Sequence, residues 1–596
     1  MPSQPSISSV PSHLLLRGVV YGAAAVLALV HVFVTFQGVS SPAGMEQAQL
    51  AREVARGHGW QTKVIRPYAW ARLEASAREA SPAAMPEIVQ PPAQPLLWAP
   101  LFKILERHQT FDPVKGGSIY LLDRVIACVG VIGCLLALGW IHGSAVRLFD
   151  EGVAALVVLC LMASELLWQL SVSGSPVALL LPLVALSFRF MVSAHQRVEE
   201  KLGIFWQAAA VGGLAAAMLL THWMAVWMVA GLVLSAWITL PGRRASAAVI
   251  TGLPVLALAA WGWWLFRASG DPLGGAKTLF QAHLSTLEPD VLQRAFSTTS
   301  QPVQMDDLLR KVAVNWRNQM GQGLAYLGFI VPAMMFFPAL LHRFRRPEAA
   351  RSCLMVAIMF ATTALGMGML GLPDKTQDDN ALYIILAPLM AVFGGAMLVI
   401  LWGRFHAGGG SLLGRQAIVW IAVALSALPM VAELPAKIKT GLVLRSRVMP
   451  HWPPYAPDRV TVIRRLLEPQ EMVFADAPWF VAWYADVPAA WIPAKRDDFD
   501  LMSARAEASG SSVAGVVVSP LSARLNHLHE AFDGPYREWP DLIFRGPMLA
   551  LDREFLPHPD FKFKLPVPLV GLPVGSKENL SMQMTFYTDR ARKLRN

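Results

Sequence analysis

Apolar runs of roughly 20 residues recur along the first three-quarters of this 596-residue chain, and each is about the length needed to cross a bilayer as a helix. Hydrocarbon offers the backbone no water, so every such run must satisfy its own N–H and C=O groups, which a helix does. Composition points the same way: 54% of residues are hydrophobic, 15% are charged and mean hydropathy is +0.43. A soluble core cannot hide that much apolar surface. The first run, 14–36, is too long for a secretory signal and no small-residue cleavage pattern follows it, so it is read as a span. Cys128, Cys134, Cys160 and Cys353 all lie inside apolar runs, where they pack rather than form disulfides.

Window hydropathy predicts about eleven spans, near 14–36, 118–147, 152–171, 176–194, 203–220, 222–240, 246–268, 322–341, 352–371, 381–402 and 413–433. The formal charge of +10 is spread through the short connections instead of forming one patch, which argues against a nucleic-acid partner. With a cytoplasmic N-terminus, the short inside connections carry Arg147, Arg197, Lys201, Arg243, Arg244, Arg343, Arg345, Arg346, Arg351, Arg404 and Arg415. The outside ones at 171–175 and 372–379 hold one lysine and no arginine, the bias that fixes orientation. An odd span count then puts residues 440–596 and two long loops, 37–117 and 269–321, outside the cytoplasm.

The predicted fold is an α-helical polytopic membrane protein with a C-terminal extracytoplasmic α/β domain. Residues 1–439 form the transmembrane part, including the loop 37–117, and residues 440–596 the soluble part. MVFAD at 472–476 and VAGVVVS at 513–519 read as buried strands, with helical stretches around 478–485 and 496–508 between and beside them. In the first loop, the amphipathic stretch 45–56 and the apolar run 96–105 read as helices lying on the membrane surface. Asp498-Phe499-Asp500 imitates a metal-holding Asp-x-Asp pair, but solvated charge is the better reading. The Gly408–Gly410 run lacks the Lys-Ser/Thr of a phosphate loop and reads as a turn. Asp378, Asp379 and Asn380 read as a hydrated helix cap.

Residues 42–67 are PAGMEQAQLAREVARGHGWQTKVIRP, and this loop resembles the start of the GT-C glycosyltransferases that use polyprenyl-phosphate sugars, such as protein O-mannosyltransferases and lipid A aminoarabinose transferases. Ala51-Arg52-Glu53 and Gly57-His58-Gly59-Trp60 carry the resemblance, QPPAQPLLWAPLFKIL at 90–105 continues it, and LYIILAPLMAVFGG at 382–395 is similar to a late span of the family. The order of elements, with a soluble unit last, matches across most of the chain. Three departures stand out: Pro42 is followed by Ala43 and Gly44 where the family has an acidic pair, Gln90 occupies a position expected to be basic, and SVSGSP at 171–176 has no acid.

The resemblance implies an inverting transfer of a sugar from a polyprenyl-phosphate donor to an extracytoplasmic acceptor. It also implies contact with membrane lipid and a place in the bacterial inner membrane; no cofactor is expected, and no His/Cys/Asp spacing in the sequence supports a zinc site. Such chemistry needs a base for the acceptor and cations for the leaving phosphate. Glu46 is the candidate base, one helical turn from position 43 on the same face. Arg52, Arg56, Lys63 and Arg66 cluster in the same loop, with Arg52 and Arg66 the candidate phosphate ligands, joined by His222 and Arg317 at helix junctions. A solvated surface glutamate, ordinary headgroup contacts and a packing histidine are the plain structural readings of these residues. Two rivals stay open. One is a catalytically silent relative that binds lipid or scaffolds an envelope complex; the other is a transporter, disfavoured because the acids concentrate in loops and span ends and no internal repeat is evident.

Overall fold

The computed structural model describes residues 12–594 apart from 77–79, 107–118, 285–291, 298–303, 372–381, 406–411, 444–456, 520–521, 523–535, 541, 544–561, 564 and 569–583. Asp378 to Asn380 and Gly408 to Gly410 therefore lie outside the described residues. Among those described, six helices are long and apolar enough to cross a membrane: Leu121–Leu148, Pro176–Glu199, Arg244–Ser269, Pro347–Leu370, Leu382–Arg404 and Ala417–Lys439. A bent pair, Glu151–Met162 and Glu165–Val172, adds a broken span with a 63° angle. Shorter apolar helices occupy Val20–Thr35, Phe205–Leu219, Ala225–Thr239 and Val331–Leu340.

Each irregularity has a local cause. At the 63° break the indole of Trp168 donates to the Met162 carbonyl (2.8 Å), satisfying backbone that the break frees, and Ser164 Oγ donates to Gly328 O (2.8 Å) in the irregular stretch packed beside it. The stretch expected as one span at 322–341 is instead Gly323–Tyr326, Val331–Met334 and Phe336–Leu340. Gly328 and Phe329 both take positive φ there, 66° and 58°, which ends the helix. The Leu382–Phe405 helix then approaches so closely that a Cβ on Gly394 would collide with Pro332 O. Before this stretch, Met305–Gly321 is a helix laid on Pro347–Leu370, where Asn315 Nδ2 reaches Gly368 O and Gly371 O, at 2.9 and 2.8 Å.

Above one end of the bundle sits a six-stranded mixed sheet. Among the described residues the strands in chain order are β1 (Gln61–Thr62), β2 (Val64–Ile65), β3 (Met85–Pro86), β4 (Glu471–Ala475), β5 (Ala489–Trp491), β6 (Ser512–Val518), β7 (Leu565–Pro568) and β8 (Thr585–Thr588), of which β1 and β3 form a separate antiparallel pair and the other six the sheet. The sheet order is β2-β5-β4-β6-β8-β7, parallel from β2 to β6 and antiparallel at β8 and β7. The runs expected as strands near 472–476 and 513–519 form β4 and β6, buried throughout except for half-buried Ser512 at the start of β6, as parallel strands covered on two faces must be. The edge strand β2 comes from the first loop, so loop and tail build one sheet: Val64 pairs with Ala489 and Ile65 with Ala490.

The Pro42–Arg56 helix differs from its expected place on the membrane surface. Ser41 caps it by accepting from Gly44 N (3.3 Å), Pro42 presets its first turn and Gly57 closes it at φ 86°. Apart from the exposed Arg56 at its end, its polar residues do not face water or headgroups: Glu46, Gln47, Gln49, Arg52 and Glu53 are all buried. The tail and the Ala93–Glu106 helix wrap it, while that second helix keeps Leu96, Leu97 and Ile104 exposed, as a helix against lipid does.

One carboxylate joins loop to tail. Asp486, in left-handed conformation at φ 58°, receives Arg52 Nη2 at 3.0 Å, Arg56 Nη1 at 2.8 Å and Lys63 Nζ at 2.5 Å. Burial acts to raise its pKa, but Arg52, Lys63 and Arg56 together hold it well below the usual carboxylate range. Such a depressed carboxyl contributes stability above its unfolded value, roughly pH 4, and loses it as pH falls further. Asp486→Asn keeps the shape and strands the buried Arg52, so the tail should lose about 3–5 kcal/mol. The tryptophan-fluorescence melt of detergent-solubilised protein at pH 7 measures this, with the exposed Asp500→Asn as control; equal midpoints in the two variants would show that charge does not hold the seam.

Candidate functional site

At the start of the first loop the sequence-predicted base meets one of its predicted cations. Glu46 is 5% exposed and Arg66 7%. Arg66 Nη2 and Gln90 Nε2 each donate to Glu46 Oε2 at 2.5 Å, while Oε1 accepts from no described group. Arg66 reaches this point because it is the extended residue (φ −90°, ψ 129°) between β2 and the Pro67–Ala75 helix, the geometry that a following proline imposes. Gln90, which stands where a basic residue was expected, is held in turn: its Oε1 accepts from Gln47 Nε2 at 3.1 Å.

A second acid lies behind this pair. Glu87 is buried, and its Oε1 accepts the backbone N–H of Val89 (2.6 Å) and Gln90 (2.9 Å). Burial raises its pKa against the pull of Arg66 and those two backbone donors. Arg66 itself is kept firmly charged: burial opposes this, but Glu46, Tyr68 and Glu87 outweigh it. The cluster thus sets two carboxyl groups against one guanidinium in a poorly hydrated place, where each charge interacts strongly.

The other predicted cations go elsewhere. Arg52 is committed to the seam: besides Asp486, its Nη1 donates to Trp483 O (2.7 Å) and its Nη2 to Ala482 O (2.8 Å), with the Trp483 ring 4.8 Å away. Arg56 and Lys63 also face Asp486. His222 is half-buried on a turn tied to the Gln90 segment, since Ala93 N donates to Leu220 O (2.8 Å) and Trp223 Nε1 to Val89 O (2.7 Å). Arg317 is exposed on the Met305–Gly321 helix, apart from the Glu46 cluster. In the tail, Asp498 caps Phe296 N (3.1 Å) while Phe499 enters the core and Asp500 is exposed, so the two aspartates do not act as a pair.

The glycine at 44, though not the alanine at 43, has a steric reason. A Cβ on Gly44 would lie 2.5 Å from Gly174 O, so the turn inside SVSGSP fills the space that a side chain at 44 would need. Ser41 N donates to Ser173 O (3.2 Å) and Gln94 Nε2 to Gly174 O (2.9 Å), fixing that approach. Sequence reasoning missed Glu87, Asp486 and Asp123. The last, at the head of Leu121–Leu148, accepts Trp483 Nε1 (2.8 Å) and Tyr484 OH (2.7 Å) from the tail, a partnership across 360 residues that leaves no local mark.

Among solved structures the chain is similar to ArnT from Cupriavidus metallidurans bound to undecaprenyl phosphate, at TM-score 0.53 and 16% identity over 86% of this chain and 95% of that one. It is also similar to the oligosaccharyltransferase AglB from Archaeoglobus fulgidus in complex with an inhibitory peptide and a dolichol-phosphate, at TM-score 0.52 and 12% identity over 89% of this chain and 72% of that one. No family model and no curated protein matches the sequence. Both neighbours are GT-C glycosyltransferases; the chain has the GT-C fold and is an integral membrane protein.

The raised Glu87 carboxyl has a pH consequence. A buried acid with a raised pKa favours the folded state while protonated, so its contribution is full below the ordinary value of 4.5 and is lost as pH rises through the folded value. Glu87→Gln removes the ionisation and keeps an acceptor for both backbone donors. Its melting temperature relative to the unmutated protein should therefore climb between pH 4.5 and 8; parallel profiles across that range would exclude Glu87 as the titrating group.

Proposed function

We propose that this GT-C-fold protein is a lipid-phosphate-dependent glycosyltransferase that moves a sugar from a polyprenyl-phosphate donor to an extracytoplasmic acceptor with inversion. The observation that carries this reading is the buried Glu46–Arg66 pair, in which Arg66 and Gln90 occupy one carboxylate oxygen and leave the other free to accept a proton. The fold adds support, because the two similar structures were solved with undecaprenyl phosphate and with a dolichol-phosphate.

The pair suggests an order of events. A donor phosphate arriving at the cluster competes with Glu46 for Arg66, since a guanidinium grips phosphate oxygens as well as it grips a carboxylate. Glu46, partly released, takes the proton of the acceptor nucleophile as that atom attacks the anomeric carbon from the face opposite the phosphate. The bond from the anomeric carbon to the phosphate oxygen breaks, and the leaving polyprenyl phosphate keeps the electron pair, stabilised by Arg66. Gln90 holds the carboxylate in place throughout. His222 and Arg317 are assigned to the donor's periphery, and Arg52 acts through the seam rather than on phosphate.

A specific observation favours a second reading, a catalytically silent relative: the Gly44–Gly174 approach leaves no room for a side chain at the second position of the acidic pair in the family pattern. Transfer of a labelled polyprenyl-phosphate sugar in liposomes separates the two. Glu46→Gln should lower turnover roughly 100-fold while donor binding survives, and Arg66→Ala should weaken donor binding. Undiminished transfer by Glu46→Gln removes the base assignment. Donor binding without transfer in the unmutated protein, whatever acceptor is supplied, establishes the silent reading.

The same proposal places the shorter apolar helices across the membrane, for about eleven spans, with the sheet outside the cytoplasm of a bacterial inner membrane and the boundary between the two parts near residue 440. The arginines of the inside connections support this orientation. Topology reporters should be cytosol-active at the N-terminus and silent in the cytosol after residue 440. Cytosolic activity at both points would require an even span count and overturn the sidedness.

A further inference from the structure

The tail carries a second polar site that the proposed reaction does not use. Strand β4 lies between two parallel neighbours, β5 and β6. The chain leaves β4 toward β5 on one side, then crosses back through the Arg496–Ala508 helix to β6 on the other. Connections that depart in opposite directions open a crevice at the carboxyl ends of the strands, the usual place for a ligand in an open parallel sheet. Asp476 directly follows β4 at this point, and Ser519 directly follows β6.

The Asp476 side chain is 4% exposed. Its Oδ2 is fixed by Ser519 N and Ser519 Oγ, both at 2.9 Å, and by Ser522 Oγ. Its Oδ1 is buried and has no hydrogen-bond partner among the described residues. Burial pushes this carboxyl up against the pull of the serine donors and of the Ala477 backbone N–H. Three residues on, half-buried Trp479 has an indole N–H that is likewise buried and unmatched. Leaving such groups unpaired costs about 1–3 kcal/mol each, a cost that a ligand bringing one donor and one acceptor would recover.

Aromatic residues link Trp479 back to the backbone of Asp476. Trp479 meets Trp491 edge to face with centroids 5.7 Å apart, and Trp491 Nε1 donates to Tyr536 OH (3.3 Å), whose hydroxyl donates to Asp476 O (3.0 Å). Arg294 lies 3.7 Å over the Tyr536 ring and gives its donors to Ile492 O and Pro493 O. With a carboxylate at the centre and the guanidinium engaged with carbonyls, the crevice suits neither phosphate nor another anion. A peptide strand would add to a sheet edge, whereas this crevice lies at the strand ends in mid-sheet.

We propose that the crevice at the carboxyl ends of β4 and β6 is a saccharide-binding site, in which Asp476 Oδ1 accepts from one ring hydroxyl and Trp479 Nε1 donates to its neighbour. A pyranose carries adjacent hydroxyls that both donate and accept, and a C–H face that packs on aromatic rings. The site does not rest on the transfer reaction, and its occupant is an uncharged or amino sugar unit presented outside the lipid-phosphate donor.

The test uses full-length protein in nanodiscs on an array of immobilised neutral and amino oligosaccharides, with serine- and threonine-containing peptides printed beside them. Saturable binding to at least one saccharide class is expected. Trp479→Phe, which keeps a ring and loses the N–H, should weaken it several-fold, as loss of one hydrogen bond does. Asp476→Asn should weaken it at least as much, and Arg66→Ala should leave it unchanged, separating this site from the Glu46 cluster. Absence of saccharide binding, equal binding by Trp479→Phe and the unmutated protein, or binding to the peptides instead of the sugars each overturns the proposal. Should Asp476→Asn fail to fold, the Trp479→Phe comparison decides alone.

Discussion

The position of everything at the tail end of the bundle depends on three cations closing on Asp486. Arg52, Arg56 and Lys63 belong to the first loop, while Asp486 stands at the end of the turn after β4. Buried ion pairs contribute little net stability against an apolar alternative, but they tolerate few arrangements, because each misplaced charge is uncompensated. Arg52 illustrates this: one guanidinium satisfies two backbone carbonyls, a carboxylate and an indole face at once. With that residue fixed, the helix carrying Glu46 has one rotation and one depth, and β2 is delivered to the edge of the sheet.

The two clusters divide the loop's charges between structure and chemistry. Four cations are close in sequence, and any of them suits a phosphate by residue type alone. Three are drawn to Asp486, and Arg66 alone meets Glu46. The division follows from geometry: Arg52 and Arg56 lie one turn apart on the Pro42–Arg56 helix and look toward the tail, whereas Arg66 follows the short β2 pairing and points back toward the helix start. Gln90 stands where the resemblance implies a cation, and its amide supplies Glu46 with a donor and imposes no further charge.

Hydropathy made the helices legible, because lipid forces each crossing segment to be apolar over its own length, a property local to the sequence. Strands β4 and β6 were legible for the same reason, as uninterrupted β-branched and apolar runs. The Pro42–Arg56 helix was legible as a helix but not in its surroundings: an alternation of polar and apolar positions has the same form whether the polar face meets headgroups or a carboxylate 430 residues away. Glu46 and Arg66 were found because both sit within one short loop. Asp486, Asp123 and Glu87 were not, since their partners become neighbours only through the tertiary fold, and the broken stretch at 323–340 kept an unbroken apolar profile while its glycine and prolines ended the helices.

The sharing of one sheet between β2 and β5 also has a meaning in time. The chain is made from its N-terminus, and Ile65 and its partner Ala490 are 425 positions apart. At synthesis rates of about 5–20 residues per second, the first loop waits on the order of 20–85 s before its sheet partner exists. Through that interval its buried-to-be charges have only water, headgroups and one another for company. The loop is thus assembled last although it is made first, and any factor that holds it open during translation acts on the same residues that later form the Glu46 cluster.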